Sequence, residues 1–398
     1  KEILRFWKKK GIRAFRFDVI NLVSKPEQML DDFEGDGRRF YSDGPHIHEY
    51  LKELVRDAGI EDFITVGEMS STTLEHCIRY SSPKEKELSM CFHFHHLKVD
   101  YKDGDKWALA APDYRKLKEL FVKWQTGMQE GGGWNALFWC NHDQPRIVSR
   151  MGDEGVYWKA SAKMLAGMIH LMRGTPYIYQ GEEIGMLNAH YPSIEQYRDV
   201  ESLNYYQILL EKGKTKEEAL ATLAARSRDN SRTPMQWSRE TCGGFSEAEP
   251  WLPMSAGFRD EITVEAQQKD GDSILAFYKK LIAMRKTYPI IAKGEIAFLE
   301  TENDMVMAYK RVLGDQQIVV LCNLDGKRQR IKADEAWRGL PVLWENGSRT
   351  AENSPSCRNM NPGVPFEKEG PFTGSEEGTW TMEPYEFLVV GNVREEQR

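Results

Sequence analysis

The chain has 398 residues, 40% hydrophobic and 11% aromatic, enough to bury the cores of two or three globular domains. A formal net charge of −7 argues against general nucleic-acid binding, so an anionic ligand would need a local basic cluster. No apolar run approaches the ~18 residues of a membrane span. The six cysteines are scattered without a Cys-x-x-Cys pair, which predicts reduced thiols and a cytoplasmic protein.

Near the start, Phe15, Phe17 and Val19 alternate with Arg16 and Asp18, which predicts a buried strand over residues 14–20. A buried carboxylate needs a partner, and Arg16 lies two residues away on the same face. Its charge would keep Asp18 ionised, and an ionised carboxylate can attack carbon. A structural ion pair with no chemistry fits this stretch equally well. Residues 36–45 are rich in turn formers and lead into a helix, with Ser42 or Asp43 as cap and Pro45 in the first turn. Ile47, Leu51, Leu54 and Val55 form its apolar stripe, and Gly59 stops it.

A second apolar strand, 63–67, ends at Glu68. A third is expected over 88–95, where His93 and His95 would point the same way. With no acidic or thiol ligand close by in sequence, histidines lining a strand face or groove are favoured over a metal site. Leu117, Leu120, Phe121 and Trp124 mark a packing helix. The strand over 136–140 runs into Asn141-His142-Asp143-Gln144-Pro145-Arg146. A helix with Met164, Leu165, Met168, Ile169 and Met172 on one stripe follows, read as core. Gly174 ends it before a strand over 175–179. Strand–helix–strand order is that of an α/β barrel, whose active sites lie at the C-terminal rim of the strands. Asp, Glu and Asp delivered to one rim suggest glycoside hydrolysis, which needs a nucleophilic carboxylate and a protonatable one.

Residues 184 to about 270 are polar and mixed, with Thr215 and Glu218 spaced as a capping box. Asp272-Ser273 caps a helix carrying Ile274, Phe277, Tyr278, Leu281 and Ile282. From residue 293 the pattern becomes strand-like, near 295–300, 305–311, 317–323 and 386–390, with a turn at Asp325-Gly326. Residues 293–398 therefore read as an all-β sandwich without a catalytic constellation, and residues 347–373 as a loop.

The segments around Asp18, Glu68 and Asp143, in this order and followed by Arg228-Asp229-Asn230-Ser231-Arg232-Thr233-Pro234-Met235-Gln236-Trp237, resemble signature segments of the α-amylase family of glycoside hydrolases. The spacings, 50 residues from Asp18 to Glu68 and 75 from Glu68 to Asp143, resemble those of its α-glucosidase branch. The resemblance implies that Asp18 is the nucleophile of a retaining enzyme, Glu68 the general acid/base and Asp143 the transition-state stabiliser. Arg16 and His142 would hold the nucleophile and the sugar. Arg228 and Arg232 would lie near the rim, with ion pairs that fasten the loop open as a reading for Arg232.

For the fold, the resemblance implies that residues 1–292 are part of a (β/α)8 TIM barrel, strands four to eight, with a long excursion over 184–270. The first three strands, the first signature segment and an inserted domain would precede Lys1, so residues 1–398 alone are expected to show little or no hydrolysis. No cofactor or metal is expected, because the calcium loop of some relatives would fall in that preceding segment.

The resemblance also extends along nearly the whole chain, most specifically over residues 37–45, 94–101 and 138–146, to the branch that hydrolyses α,α-trehalose 6-phosphate to glucose and glucose 6-phosphate. The alternative is a branch that cleaves α-1,6-linked glucose oligomers, which shares Asp18-Val19-Ile20-Asn21 and the Arg-Thr-Pro-Met-Gln-Trp run. A catalytically inactive binding or transporter-associated relative is disfavoured by the complete set of acids. The partner is then a small phosphorylated disaccharide, with no nucleic acid or membrane. Its phosphate needs local cations: Lys98 first, Arg38 or Arg39 second, with Lys102 and Lys106 read as solvated surface charges.

Overall fold

The structure, a computed structural model, describes residues 1–28, 30–332, 334, 337–347 and 379–394. Beyond Gly347, the loop expected over 347–373 lies outside the described residues, as does Cys357. The strands in chain order are β1 (Ala14–Phe17), β2 (Ile64–Glu68), β3 (Met90–Phe92), β4 (Tyr101–Lys102), β5 (Asp105–Leu109), β6 (Ala136–Leu137), β7 (Thr175–Pro176), β8 (Glu295–Phe298), β9 (Val306–Leu313), β10 (Gln316–Asn323), β11 (Gln329–Lys332), β12 (Val342–Glu345), β13 (Thr379–Met382) and β14 (Phe387–Asn392). The chain divides into two compact units, one of Lys1–Lys98, Lys116–Leu137 and Arg173–Tyr177, the other of Val99–Arg115, Phe138–Met172 and Ile178–Arg398.

In the first unit, β1, β2 and β3 pair in parallel, Ala14 opposite Ile64 and Val66 opposite Met90. A parallel bridge joins Cys91 to Asn135, and β6 pairs in parallel with β7. The five expected strands thus lie side by side in chain order, β2 at its expected length and the other four shorter than expected. Strand β1 is not buried, contrary to its alternating pattern. It is the edge of its sheet, and its residues are half-buried or exposed. Alternation reports which residues share a face, not whether that face is covered.

The Ile47–Ala58 helix buries Ile47, Leu51, Val55 and Ala58 and ends at Gly59, where φ of +64° suits glycine. The expected cap is corrected. His46 is the N-cap and its own side chain makes no capping bond, while Asp43 is committed to Asn21 and Tyr80. The Tyr114–Glu130 helix packs Leu117, Phe121 and Trp124 inward. Its Trp124 joins Leu51, Met69, Cys77, Tyr80 and Cys91 in one core.

In the second unit, the Trp158–His170 helix is buried on nearly every side, and its methionines are core as expected. One cover is an antiparallel sheet in the order β12-β14-β10-β9-β8. Tyr309 donates its hydroxyl to the Met168 carbonyl at 2.6 Å, and the buried Arg311 guanidinium donates to the carbonyls of Leu171 (2.6 Å), Ile291 (2.9 Å) and Gly294 (2.6 Å). The opposite face packs with the β11–β13 pair around Val319, Leu321, Trp337, Met382 and Leu388. With both faces covered, β9 and β10 are almost continuously buried. The expected Thr215–Glu218 capping box and the Ser273 cap are present.

Candidate active site

In parallel strands the register decides which strand ends meet. Phe17 pairs with Gly67, so Asp18 and Glu68, one step further, leave neighbouring strands together. Parallel neighbours lie roughly 4.8 Å apart, close to the ~5–5.5 Å that separates the two carboxyl groups of a retaining glycosidase. Arg16 holds both. Its Nη1 lies 2.7 Å from Asp18 Oδ1, and its Nη2 contacts Glu68 Oε2.

The two acids differ in setting. The Asp18 side chain is 71% exposed and that of Glu68 only 12%. The buried carboxylate expected at Asp18 is therefore corrected: β1 ends at Phe17 and the acid sits beyond it in an open turn. The turn can approach β2 closely because Gly67 has no side chain. A Cβ there would lie 3.2 Å from Ile20 Cγ2 and 2.6 Å from Leu88 Cδ1.

Strand β3 ends at Phe92, so His93 and His95 do not share a strand face as expected. His93 stacks on Trp124 with ring centroids 3.8 Å apart, and its burial pushes the imidazole pKa well down. His95 Nε2 meets the Thr72 carbonyl at 2.9 Å. Among the described residues no group of three His, Cys, Asp or Glu is placed to hold a metal.

Lys98 closes the next helical turn, His95–Lys98. Burial, and then the charge of Arg38, lowers its pKa. No carboxylate lies within ion-pair distance of Lys98 among the described residues. Two cations held together without a carboxylate on the more buried one form a place for an anion. Arg38 is ion-paired to Asp36 at 2.9 Å and reaches Ser71 Oγ at 3.4 Å. Arg39 is already engaged by Asp32 (2.7 Å) and Glu34 (2.6 Å).

In the second unit, Asp143 meets two arginines, Arg232 Nη2 at 2.6 Å and Arg228 Nε at 3.8 Å. His142 Nε2 lies 3.5 Å from Asp143 Oδ2. Arg232 also donates to the His142 carbonyl at 2.8 Å, so it both fastens the loop and faces the acid. Arg228 is shared with Glu201 at 3.1 Å, which also takes Lys106 at 2.8 Å. Lys106 is thus ion-paired, not a solvated charge, whereas Lys102 is exposed. The buried Arg146 secures this segment through the carbonyls of Gln180 (2.6 Å) and Ser231 (3.3 Å). The sequence did not single out Glu201, which only the fold brings to Arg228 and Lys106.

The family of the α-amylase catalytic domain matches residues 1–294. Trehalose-6-phosphate hydrolase of Bacillus subtilis (strain 168) is 53% identical over 354 residues, covering 87% of this chain and 63% of that protein. The enzyme of the same name from Escherichia coli (strain K12) is 49% identical over 363 residues, 91% of this chain and 65% of that protein. The chain thus spans less than two thirds of the length of these two relatives. The crystal structure of trehalose-6-phosphate hydrolase from Bacillus licheniformis superposes with a TM-score of 0.87 at 46% identity, over 99% of this chain and 67% of that one. No described helix is long and apolar enough to cross a membrane. The family match over three quarters of the chain, joined to the paired acids at the ends of parallel strands, means that the chain belongs to the α-amylase family, with its TIM-barrel catalytic domain followed by a C-terminal β domain.

Proposed function

We propose that the protein is a retaining glycoside hydrolase that cleaves α,α-trehalose 6-phosphate to glucose and glucose 6-phosphate. The observation that carries the chemistry is the Arg16 bridge between Asp18 and Glu68 on neighbouring strand ends. The Asp18 carboxylate attacks the anomeric carbon of the unphosphorylated glucose. Glu68, the more buried acid, gives its proton to the departing glycosidic oxygen, and glucose 6-phosphate leaves. Glu68 then takes a proton from water, which attacks the glycosyl–Asp18 ester and releases glucose with its configuration retained.

Asp143, with His142 beside it, is the third carboxylate of this reading and stabilises the oxocarbenium-like transition state. Arg228 serves on the sugar through its place beside Asp143. Lys98 and Arg38 receive the phosphate, supported by the placement of Lys98 beside a second cation with no carboxylate of its own within ion-pair distance among the described residues. Arg39 ranks behind them, because two carboxylates already neutralise it. Strands β1, β2, β3, β6 and β7 are read as five of the eight barrel strands. Residues 1–292 are read as barrel and 293–398 as sandwich. The free buried thiols support a cytoplasmic setting.

Product analysis of the intact protein on trehalose 6-phosphate, trehalose and isomaltose tests this reading. Preferred hydrolysis of the phosphorylated sugar with an α-anomeric first product is expected. A β-anomeric product overturns the assignment of Asp18, and a preference for isomaltose replaces the substrate with an α-1,6-linked one.

A further inference from the structure

Three non-glycine residues of the first unit hold left-handed backbone conformations around one buried side chain. They are Val19 (φ +34°), Asp43 (φ +52°) and Ser71 (φ +53°). For a β-branched residue such as Val19 this region is a true outlier, and such strain persists only where neighbouring contacts impose it. Val19 directly follows Asp18, and Ser71 lies three residues past Glu68.

The side chain at their centre is Asn21, fully buried. Its Oδ1 accepts from the Ser70 backbone N–H at 2.9 Å and its Nδ2 donates to the Ser70 carbonyl at 2.8 Å. The amide thus bonds both backbone polar groups of one residue, Ser70, through two hydrogen bonds. Nδ2 also donates to Asp43 Oδ1 at 3.0 Å, and the Asp43 N–H donates back to the Asn21 carbonyl at 3.0 Å. The same Asp43 oxygen accepts the Tyr80 hydroxyl at 2.6 Å. Tyr80 is itself fully buried in the core of the unit.

We propose that Asn21 is a positioning residue: it clamps the turn that leaves the nucleophile strand to the turn that leaves the acid/base strand, and so sets the distance between Asp18 and Glu68. A surface ion pair alone cannot do this, since Asp18 is largely exposed and its bond to Arg16 is open to water. The clamp is buried, two-pronged and anchored through Asp43 to Tyr80. Asn presents an amide donor and acceptor on a shorter stem than Gln, which suits bonding both backbone groups of Ser70 at close approach. The inference rests on Asp18 and Glu68 being nucleophile and acid/base, and the test separates the two claims.

The test compares kcat/KM of the intact parent, Asn21→Ala and Tyr80→Phe on two substrates, trehalose 6-phosphate and 2,4-dinitrophenyl α-glucoside. Departure of dinitrophenolate needs no proton from Glu68, so this substrate reports attack by Asp18 alone. Loss of the clamp lets the two carboxyl groups drift apart. Asn21→Ala should then lower kcat/KM on trehalose 6-phosphate by about 10- to 100-fold, mainly through kcat, and on the aryl glucoside by several-fold less. Tyr80→Phe should move both values in the same unequal way, by a smaller factor.

Equal losses on the two substrates, or no loss in folded Asn21→Ala, overturn the proposal, because a residue that only supports the fold would not distinguish leaving groups. If Asn21→Ala does not fold, the unequal loss in Tyr80→Phe decides alone. If the parent hydrolyses neither substrate, the functional reading fails and takes this inference with it.

Discussion

Replacing Lys98 by alanine tests how a net acidic protein would select the proposed phosphorylated sugar. The ammonium is half-buried and lies beside the Arg38 guanidinium, with its pKa lowered by both. In the free protein this arrangement is unfavourable, and a bound dianion relieves it. A charge-assisted hydrogen bond in a partly desolvated site is worth about 1.5–3 kcal/mol, which is about one to two decades in kcat/KM. Lys98→Ala should therefore lower kcat/KM on trehalose 6-phosphate by about 10- to 100-fold, while unphosphorylated trehalose stays within about 2-fold. Steady-state kinetics on the two sugars at one ionic strength measures both. Raising the salt should narrow the gap, since screening weakens what remains of the attraction. Because the free protein holds Lys98 below its usual pKa, the advantage for the phosphorylated sugar is present where the phosphate is dianionic and Lys98 charged, and is lost as pH rises through that lowered value. Equal losses on the two sugars would refute the reasoning and make Lys98 a structural residue. An unchanged preference would move the phosphate to other cations.

The paired acids should be separable by azide. Asp18→Ala should lose nearly all turnover and, with azide, yield the β-glucosyl azide. Glu68→Ala should lose about 10²- to 10⁴-fold on poor leaving groups and yield the α-glucosyl azide; the reverse stereochemistry by NMR would exchange the two roles. The buried Glu182 carboxyl is pushed up to about 8 by burial, with Tyr278 donating to it at 3.2 Å. The native protein therefore keeps a proton that the unfolded chain has released, so stability is full below the ordinary value of 4.5 and falls as pH rises toward 8. Glu182→Gln should flatten that slope, which is worth on the order of 5 kcal/mol, and an unchanged dependence of Tm on pH would sink the assignment. Asp100 is buried between Arg150 (2.7 Å and 2.8 Å) and Arg226. Asp100→Ala should destabilise by about 3–5 kcal/mol in denaturant unfolding, and a loss below about 1 kcal/mol would mean that water reaches the guanidinium groups.

What the sequence determined by itself is local. The Ile47–Ala58 stripe with its Gly59 stop, the methionine helix, the Thr215–Glu218 box and the Ser273 cap rest on contacts three or four residues apart, so a short window contains their whole cause. The identities of Asp18, Glu68 and Asp143 as acids following strands were legible for the same reason, as was the bond from Arg16 to Asp18. The short strands β11, β12 and β13 were not, although β1 and β8 are equally short, because their pairing partners across the sheet rather than their own pattern define them. Tertiary structure alone decided that Asp18 is exposed, since burial depends on what lies across the sheet edge and not on alternation. It also decided that Arg16 spans both acids, that Lys98 faces Arg38, and that Asn21 clamps Ser70 49 residues away. The Arg16 bridge and the Asn21–Ser70 bonds join turns that are distant in sequence, and the parallel register that sets Phe17 beside Gly67 brings those turns within hydrogen-bonding reach.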